Sequence, residues 1–297
     1  MQGVINVNKG VGLTSFAVIA RLRHILRISQ AGHGGTLDPL AGGVLPVFIG
    51  NATRLAEYLL EHHKTYRACI ELGATTTTYD SEGSVVLRRD AGGVTAEAVG
   101  EALASFRGSI LQKPPLYSAI RKDGQPLYKT ARAGGSVELE ARPVEIYALE
   151  IISFQPPRLE LEVECGRGTY IRSLAFDLGE RLGCGAFLAG LVRTAYGPFT
   201  LENAVTLSEL EKIAPGGGWQ SALQPADVIL AGWPRAELDS LQTAQVVCGQ
   251  GVEMPEPGES GRLRAYSDDG TLLALLFYDV EAGLWRPRKV FKPAMQP

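Results

Sequence analysis

The sequence predicts an α+β fold followed by a small β-rich unit at the C-terminus. Three observations carry this expectation. Residues 158–165, RLELEVEC, alternate Leu159, Leu161, Val163 and Cys165 with Glu160, Glu162 and Glu164, the period-two pattern of a strand with one wet face. Strands of this antiparallel type are mixed with helical segments, which favours α+β over a doubly wound parallel sheet. Near the C-terminus a DDG turn leads into the apolar run TLLALLFYDV, a hairpin signal.

The elements follow in order. VINVN (4–8) has the apolar content of a short strand. Thr14-Ser15 is placed to cap a helix over FAVIARLRHILR, with Phe16, Ile19, Leu22 and Leu26 at helical spacing. The Gly-rich segment GHGGTLDPLAGG (32–43) reads as a loop, VLPVFIG as a short extended piece, and RLAEYLLEHH as a second helix. TYRACIELG predicts a strand, VTAEAVGEALASF (94–106) a helix, and TYIRSLAFDLGERLG (169–183) a helix stopping at Gly183. GCGAFLAG (183–190) reads as a helix stop and tight connection. APGGGWQ and AGWPR mark a break between about residues 213 and 235. The expected division is therefore 1–213, a linker at 214–234, and a strand-rich unit at 235–297 built from RLRAYSD, GTLLALLFYDV and RPRKVF.

Composition narrows the function classes. The chain of 297 residues is 45% apolar, enough for a real core, and has no uninterrupted apolar run of membrane-spanning length. Its N-terminus lacks the pattern of a signal peptide. Cys69, Cys165, Cys184 and Cys248 stand singly, which fits reduced thiols in a cytoplasmic protein. The net charge of −3 does not advertise a nucleic-acid partner. It is unevenly spread, however. Residues 1–70 carry seven Lys/Arg against three acids, and residues 201–260 two against nine. A basic front is compatible with RNA, although charge alone favours ordinary solvated surface.

Most chemical motifs are missing. His24, His33, His62 and His63 have no metal-ligand spacing. GCGAFLAG has neither the spacing nor the preceding strand of a dinucleotide fingerprint, and GHGGTLDPLAGG lacks the ending of a P-loop. There is no GxSxG segment. What is left is Asp38, a lone carboxylate among glycines and directly before Pro39. A carboxylate can act as a nucleophile, and glycines let backbone approach closely. Pro39 biases Asp38 towards extended conformations. Taken alone, the same residues read more as an Asp-Pro turn than as a site.

Several ordered segments resolve that ambiguity. GHGGTLDPLAGGVLPVFIGNATR resembles the catalytic-aspartate motif of the TruB family of bacterial tRNA pseudouridine-55 synthases. KTYRACIELGATTTTYDSEG, PPLYSAIRKDGQPLYKTARAG and CGRGTYIRSLAFDLGERLGCGAFLAGLVRT are similar to further motifs of that family, and together they span most of residues 4–200. WRPRKVF resembles the end of the family's small PUA-like RNA-binding domain. One motif departs: Asn8 and Gly10 stand where the family usually has Asp and Pro, which bears on local rigidity.

The resemblance implies a pseudouridine synthase catalytic domain with a central mixed, largely antiparallel sheet. It implies an isomerase that flips a T-arm uridine of tRNA out of its stack, breaks the N1–C1′ bond and rejoins the base through C5, with no metal or other cofactor. Asp38 becomes the nucleophile at C6 or C1′, or the base that removes the 2′ hydrogen. Arg172 becomes its partner. Tyr66 stacks on the base and serves as a proton-transfer group. His33 sits near the vacated stack, Leu191 lines the pocket, and Asp80 and Lys64 join the RNA-binding set, Lys64 with the basic helix 21–27 towards phosphate. The resemblance further implies a cytoplasmic enzyme that works without an obligatory protein partner and away from membranes. Two alternatives stay open on the sequence: a non-catalytic tRNA-binding or folding protein, and a guide-RNA-dependent relative.

Overall fold

The structure is a computed structural model that describes residues 2–117, 121–122, 125–126, 139–255 and 261–291. The chain begins β1 (Gly3–Lys9), α1 (Ser15–Leu26), β2 (Ala31–His33) and β3 (Ala41–Ile49). Two short 3-10 turns (Gly50–Leu55 and Tyr58–Glu61) lead to β4 (Lys64–Leu72) and the hairpin β5 (Ala74–Thr76) and β6 (Val85–Arg88). Next come α2 (Ala96–Ala104), β7 (Gly108–Gln112) and the short pair β8 (Arg121–Lys122) and β9 (Gln125–Pro126). Then follow β10 (Arg142–Gln155), β11 (Arg158–Cys165), α3 (Ile171–Arg181), β12 (Ala186–Tyr196), β13 (Phe199–Thr200), β14 (Val205–Thr206) and α4 (Leu207–Ile213).

One ten-stranded sheet organises these elements in the order β14-β1-β3-β12-β4-β11-β10-β7, with β2 added to β3 and β13 to β12. Only the β1–β14 and β3–β12 pairings are parallel. The sheet is thus mixed and largely antiparallel, and the fold is α+β as the sequence predicts. Leu159, Leu161, Val163 and Cys165 of β11 are all fully buried, while the intervening glutamates face outwards. Thr14 caps α1 by accepting from the amide of Ala17 at 3.0 Å, and Thr95 caps α2 by accepting from Ala98 at 3.2 Å. Among the described residues no helix is long and apolar enough to cross a membrane.

Three expectations are corrected, and one further strand had no expectation. Residues 54–63 form no continuous helix; a break at Ala56 and Glu57 separates two turns that still bury Leu55 and Leu59. In α1 the inward face is Val18, Ile19, Leu22 and Leu26, whereas Phe16 is 78% exposed. GCGAFLAG is more than a connection, because from Ala186 it opens β12, a central strand between β3 and β4. The glycine at 179 makes room for this, since a Cβ there would collide with the backbone of Ala186. The further strand is β10, whose 14 residues have no alternation legible enough to be expected.

A second, four-stranded sheet contains β15 (Arg235–Glu237), β16 (Arg262–Tyr266), β17 (Leu272–Asp279) and β18 (Leu284–Val290), with α5 (Ser240–Val247) packed beside it. The DDG turn joins β16 to β17, with Gly270 at φ +79°. A shared apolar cluster joins the two sheets: Phe48, Leu59 and Tyr196 meet Ile229, Leu230, Leu275 and Phe291. Non-polar burial of this kind fixes one sheet against the other.

Candidate active site

The loop between β2 and β3 carries Asp38. Its carbonyl accepts from the Ala41 amide at 3.0 Å, so Asp38-Pro39-Leu40-Ala41 is a hydrogen-bonded turn with proline second. The turn and the functional reading of Asp38-Pro39 are therefore compatible. On one side the Gly12 amide donates to Pro39 O at 2.8 Å. On the other, Ser15 Oγ donates to Leu37 O at 3.0 Å and accepts from Leu37 N at 2.9 Å. The start of α1 thus clamps the backbone immediately before Asp38. The glycines of the loop serve packing. A Cβ at Gly34 would strike Leu59, and one at Gly35 would press on the Tyr196 ring. Gly43, at φ +97°, lies against the backbone of Arg193.

Arg172 projects from the first turn of α3. Its Nη2 is 2.9 Å from Asp38 Oδ2, and its Nη1 is 3.3 Å from Asp80 Oδ2. It also donates to Tyr117 O at 3.0 Å and Thr78 O at 3.5 Å. The arginine side chain is 8% exposed and that of Asp80 3%, whereas Asp38 is 42% exposed and faces a cavity. The helix start is itself anchored: Tyr170 N donates to Gln112 Oε1 at 2.7 Å, and Gln112 Nε2 donates to Tyr170 O at 3.1 Å. Asp80, expected to face RNA, is instead buried behind Arg172, where it accepts from Thr78 Oγ1 and the Glu82 amide. A carboxylate withdrawn from solvent in this way positions the arginine and cannot meet a polyanion.

The cavity has a volume of about 290 Å³, the size class of one small ligand group. Asp38, Tyr66, Arg172, Lys64 and Leu191 all line it, as do Tyr170 and the exposed Arg167. Five of the seven residues expected from the sequence therefore converge. Asp80 lies behind the wall. His33 is not among the lining residues; it ends β2, and its Nδ1 is buried without a hydrogen-bond partner. Burial, and secondarily Arg193, lower its pKa, which favours neutral imidazole. Burial raises the pKa of the Tyr66 phenol, and Arg193 opposes that rise. Lys64 is pulled down to about 8 by burial and sits with its ammonium 4.7 Å from the centroid of the Tyr196 ring. Burial also takes Lys9 to about 8; its Nζ donates to Leu13 O at 2.6 Å and ties down the 10–13 loop.

The residue that sequence reasoning missed is Arg193. It is 1% exposed, the largest fully buried side chain among the described residues, and it lines the same cavity. In the sequence it reads as one more arginine in LVRT. The missing signal was the strand itself, since without β12 nothing aligns Arg193 with Tyr66.

Comparison with known families places the chain in one of them. A model for the TruB family pseudouridylate synthase N-terminal domain matches residues 23–171, and one for the tRNA pseudouridylate synthase B C-terminal domain matches residues 172–231. The chain belongs to the TruB family of pseudouridylate synthases. It is 45% identical over 291 residues to the tRNA pseudouridine synthase B of Dehalococcoides mccartyi, covering 98% of this chain and 97% of that protein. The corresponding protein of Pseudomonas syringae pv. syringae is 44% identical over 278 residues, covering 93% and 91%. Among solved structures, a chain of an H/ACA ribonucleoprotein bound to a substrate RNA containing 2′-deoxyuridine superposes with a TM-score of 0.75 at 26% identity, covering 99% of this chain and 86% of that one. A chain of a Cbf5–Nop10–Gar1 complex gives 0.75 at 29% identity, covering 98% and 85%. Both solved chains match the fold over nearly the whole of this chain.

Proposed function

We propose that this chain isomerises uridine 55 in the T-arm of tRNA to pseudouridine, as a standalone cytoplasmic enzyme without a cofactor. Family membership and the names of its relatives supply the reaction class and the substrate. One observation carries the site: the only partly exposed member of the Asp38–Arg172–Asp80 set is Asp38, and it opens into a cavity with Tyr66 on its wall.

The target uridine leaves the stack, because its reacting atoms are otherwise inaccessible. Its uracil enters between Tyr66 and the apolar wall at Leu191. Arg172 occupies Asp38 Oδ2 and leaves Oδ1 to meet the nucleotide. With Asp38 initiating cleavage, the N1–C1′ electron pair departs with the base. The base turns and C5 bonds to C1′. Tyr66 takes the C5 proton and releases it to water, while N1 gains a proton from water. Nothing is oxidised and no group needs activation. Lys64, charged below about pH 8, meets a phosphate flanking the flipped nucleotide. His33, neutral and at the edge of the catalytic loop, fills space near the vacated stack. The strand-rich unit from residue 235 onwards adds RNA contacts beyond the T-loop.

The test is purified protein alone with an unmodified tRNA transcript and pseudouridine mapped by position. The expected product is a single pseudouridine at position 55. No product, or product only with added proteins or a guide RNA, overturns the proposal.

A further inference from the structure

We propose that Arg193 is a positioning residue for the reaction: it holds the Tyr66 hydroxyl at the cavity wall and balances the negative charge that oxygen carries when it accepts a proton. The inference rests on the proton-transfer role given to Tyr66 above.

The strand register brings the two residues together. Tyr66 of β4 lies opposite Arg193 of β12, and the pairing register shifts between Arg193 and Ala195. A bulge at such a point bends the strand locally and re-aims its side chains. Two carbonyls fix the guanidinium: Nε donates to Val44 O at 2.7 Å, and Nη2 donates to Gly35 O at 3.2 Å. One of these belongs to β3 and the other to the Asp38 loop, so Arg193 connects the nucleophile's loop to the tyrosine's strand. The guanidinium and the Tyr66 side chain line the same cavity, and the guanidinium lies 4.8 Å from the centroid of the Tyr196 ring.

The charge is the second argument. Arg193 is 1% exposed, and among the described residues no carboxylate forms a salt bridge with it, whereas Arg172 has two. A buried guanidinium held by neutral carbonyls keeps its full positive charge, and burying such a charge is costly. That cost has a use if a negative charge appears beside it during the reaction. The groups facing Tyr66 are limited. Besides Arg193 they are Asp38 from the loop, Cys165 from β11 and Tyr196 from β12, whose phenol burial pushes well above its ordinary range and so keeps neutral, with Lys64 and Arg172 on the same cavity. Asp38 is already committed to Arg172, and the Cys165 thiol is pushed up to about 11 by burial, so it stays neutral near pH 7. Tyr66 oxygen is the remaining place where a negative charge would develop against Arg193. Burial by itself makes a phenolate harder to form, and Arg193 is the main charge acting in the opposite direction. The step balances: the Tyr66 phenol first gives its proton to water, the resulting phenolate oxygen gains the C5 proton and is a neutral phenol again, and the C5–H electron pair restores the uracil ring.

The experiment compares wild type, Arg193→Lys, Arg193→Met, Tyr66→Phe and the Arg193→Met/Tyr66→Phe double variant. Single-turnover rates on a T-arm uridine RNA are followed from about pH 6 to 10, with circular dichroism and RNA affinity measured in parallel. For Arg193→Met the expected result is a rate loss of about 100-fold near pH 7, regained as pH rises, with KM little changed. Arg193→Lys restores part of the loss and moves the limb of the profile back towards wild type. In the Tyr66→Phe background, Arg193→Met adds no further loss, because its effect passes through the hydroxyl. A pH profile unchanged in Arg193→Lys, or losses that multiply in the double variant, overturns the proposal. If Arg193→Met does not fold, the limb position in folded Arg193→Lys decides the matter alone. A wild-type chain that makes no pseudouridine, or a fully active Tyr66→Phe, refutes instead the reading on which the proposal rests.

Discussion

Arg172 Nη2 lies 2.9 Å from Asp38 Oδ2, and the pair is asymmetric: the arginine is buried and the aspartate is open to the cavity. The same guanidinium reaches Asp80 Oδ2 at 3.3 Å on its inner side. The arginine therefore carries no freedom of its own. Its rotamer is set by Asp80, by Tyr117 O and by the anchored start of α3, and Asp38 is aimed by what holds Arg172.

Removal of the guanidinium is the first expectation. Arg172→Met leaves Asp80 buried without its cation, a loss of about 3–5 kcal/mol of folding stability. Asp80→Asn keeps the shape and removes only the inner charge. It should fold nearly as well as wild type yet turn over at least about tenfold more slowly, because Arg172 is no longer held toward Asp38. Urea unfolding midpoints and single-turnover rates check the two variants.

Lys64 gives a pH expectation. Its folded pKa of about 8 lies below the ordinary lysine value of 10.5. Between those values the unfolded chain holds a proton that the folded chain has lost, so the contribution of Lys64 to stability rises from about pH 8 to 10.5. The penalty for burying its charge is fully present below pH 8. Binding has the opposite sign: the ammonium meets phosphate below about pH 8, and RNA affinity falls as pH rises through that value. Lys64→Met should weaken binding near pH 7, flatten this part of the pH dependence and reduce the salt slope by about one. Fluorescence titration of a T-arm RNA at several pH and salt values checks it.

Two glycines should respond oppositely. At Gly10 a Cβ meets nothing within 4 Å, and φ is not positive. Gly10→Ala should stabilise the chain by about 0.4–1 kcal/mol by restricting the unfolded state. Gly43 combines φ +97° with a Cβ position inside the backbone of Arg193. Gly43→Ala should destabilise by several times that amount and separate β3 from β12. Thermal unfolding of both variants decides.

Ser15 is the clamp on the catalytic loop. It both donates to and accepts from Leu37. Ser15→Ala leaves two buried backbone groups of Leu37 unpaired and should cost about 1–3 kcal/mol. The rate should fall more than RNA affinity does, since the damage is to the position of Asp38. Parallel measurement of kcat and Kd separates these effects.

The sequence made some of this legible and concealed the rest for physical reasons. The strand at 158–165 could be read because one face is dry and the other wet, and the cap at Thr14 because hydroxyl capping is local. Asp38 could be found only through several motifs in order, because its own loop is also a good turn. Arg193 was hidden, because Gly190 and the small residues around it disguise β12 and an arginine on a strand ordinarily points to solvent. Asp80 was expected to face RNA, since the contact that buries it comes from a residue 92 positions away. The loop glycines could be read as allowing close backbone approach, but not what approaches: Gly34, Gly35 and Gly43 lie against Leu59, Tyr196 and Arg193, which no local reading places nearby.

The most direct test of the account is Asp38→Asn, assayed for pseudouridine on unmodified tRNA alongside RNA binding and circular dichroism. The account requires a folded protein that binds tRNA with near wild-type affinity and forms no pseudouridine. Appreciable product from the folded variant would contradict it, because Asp38 would then not be the group that attacks the nucleotide.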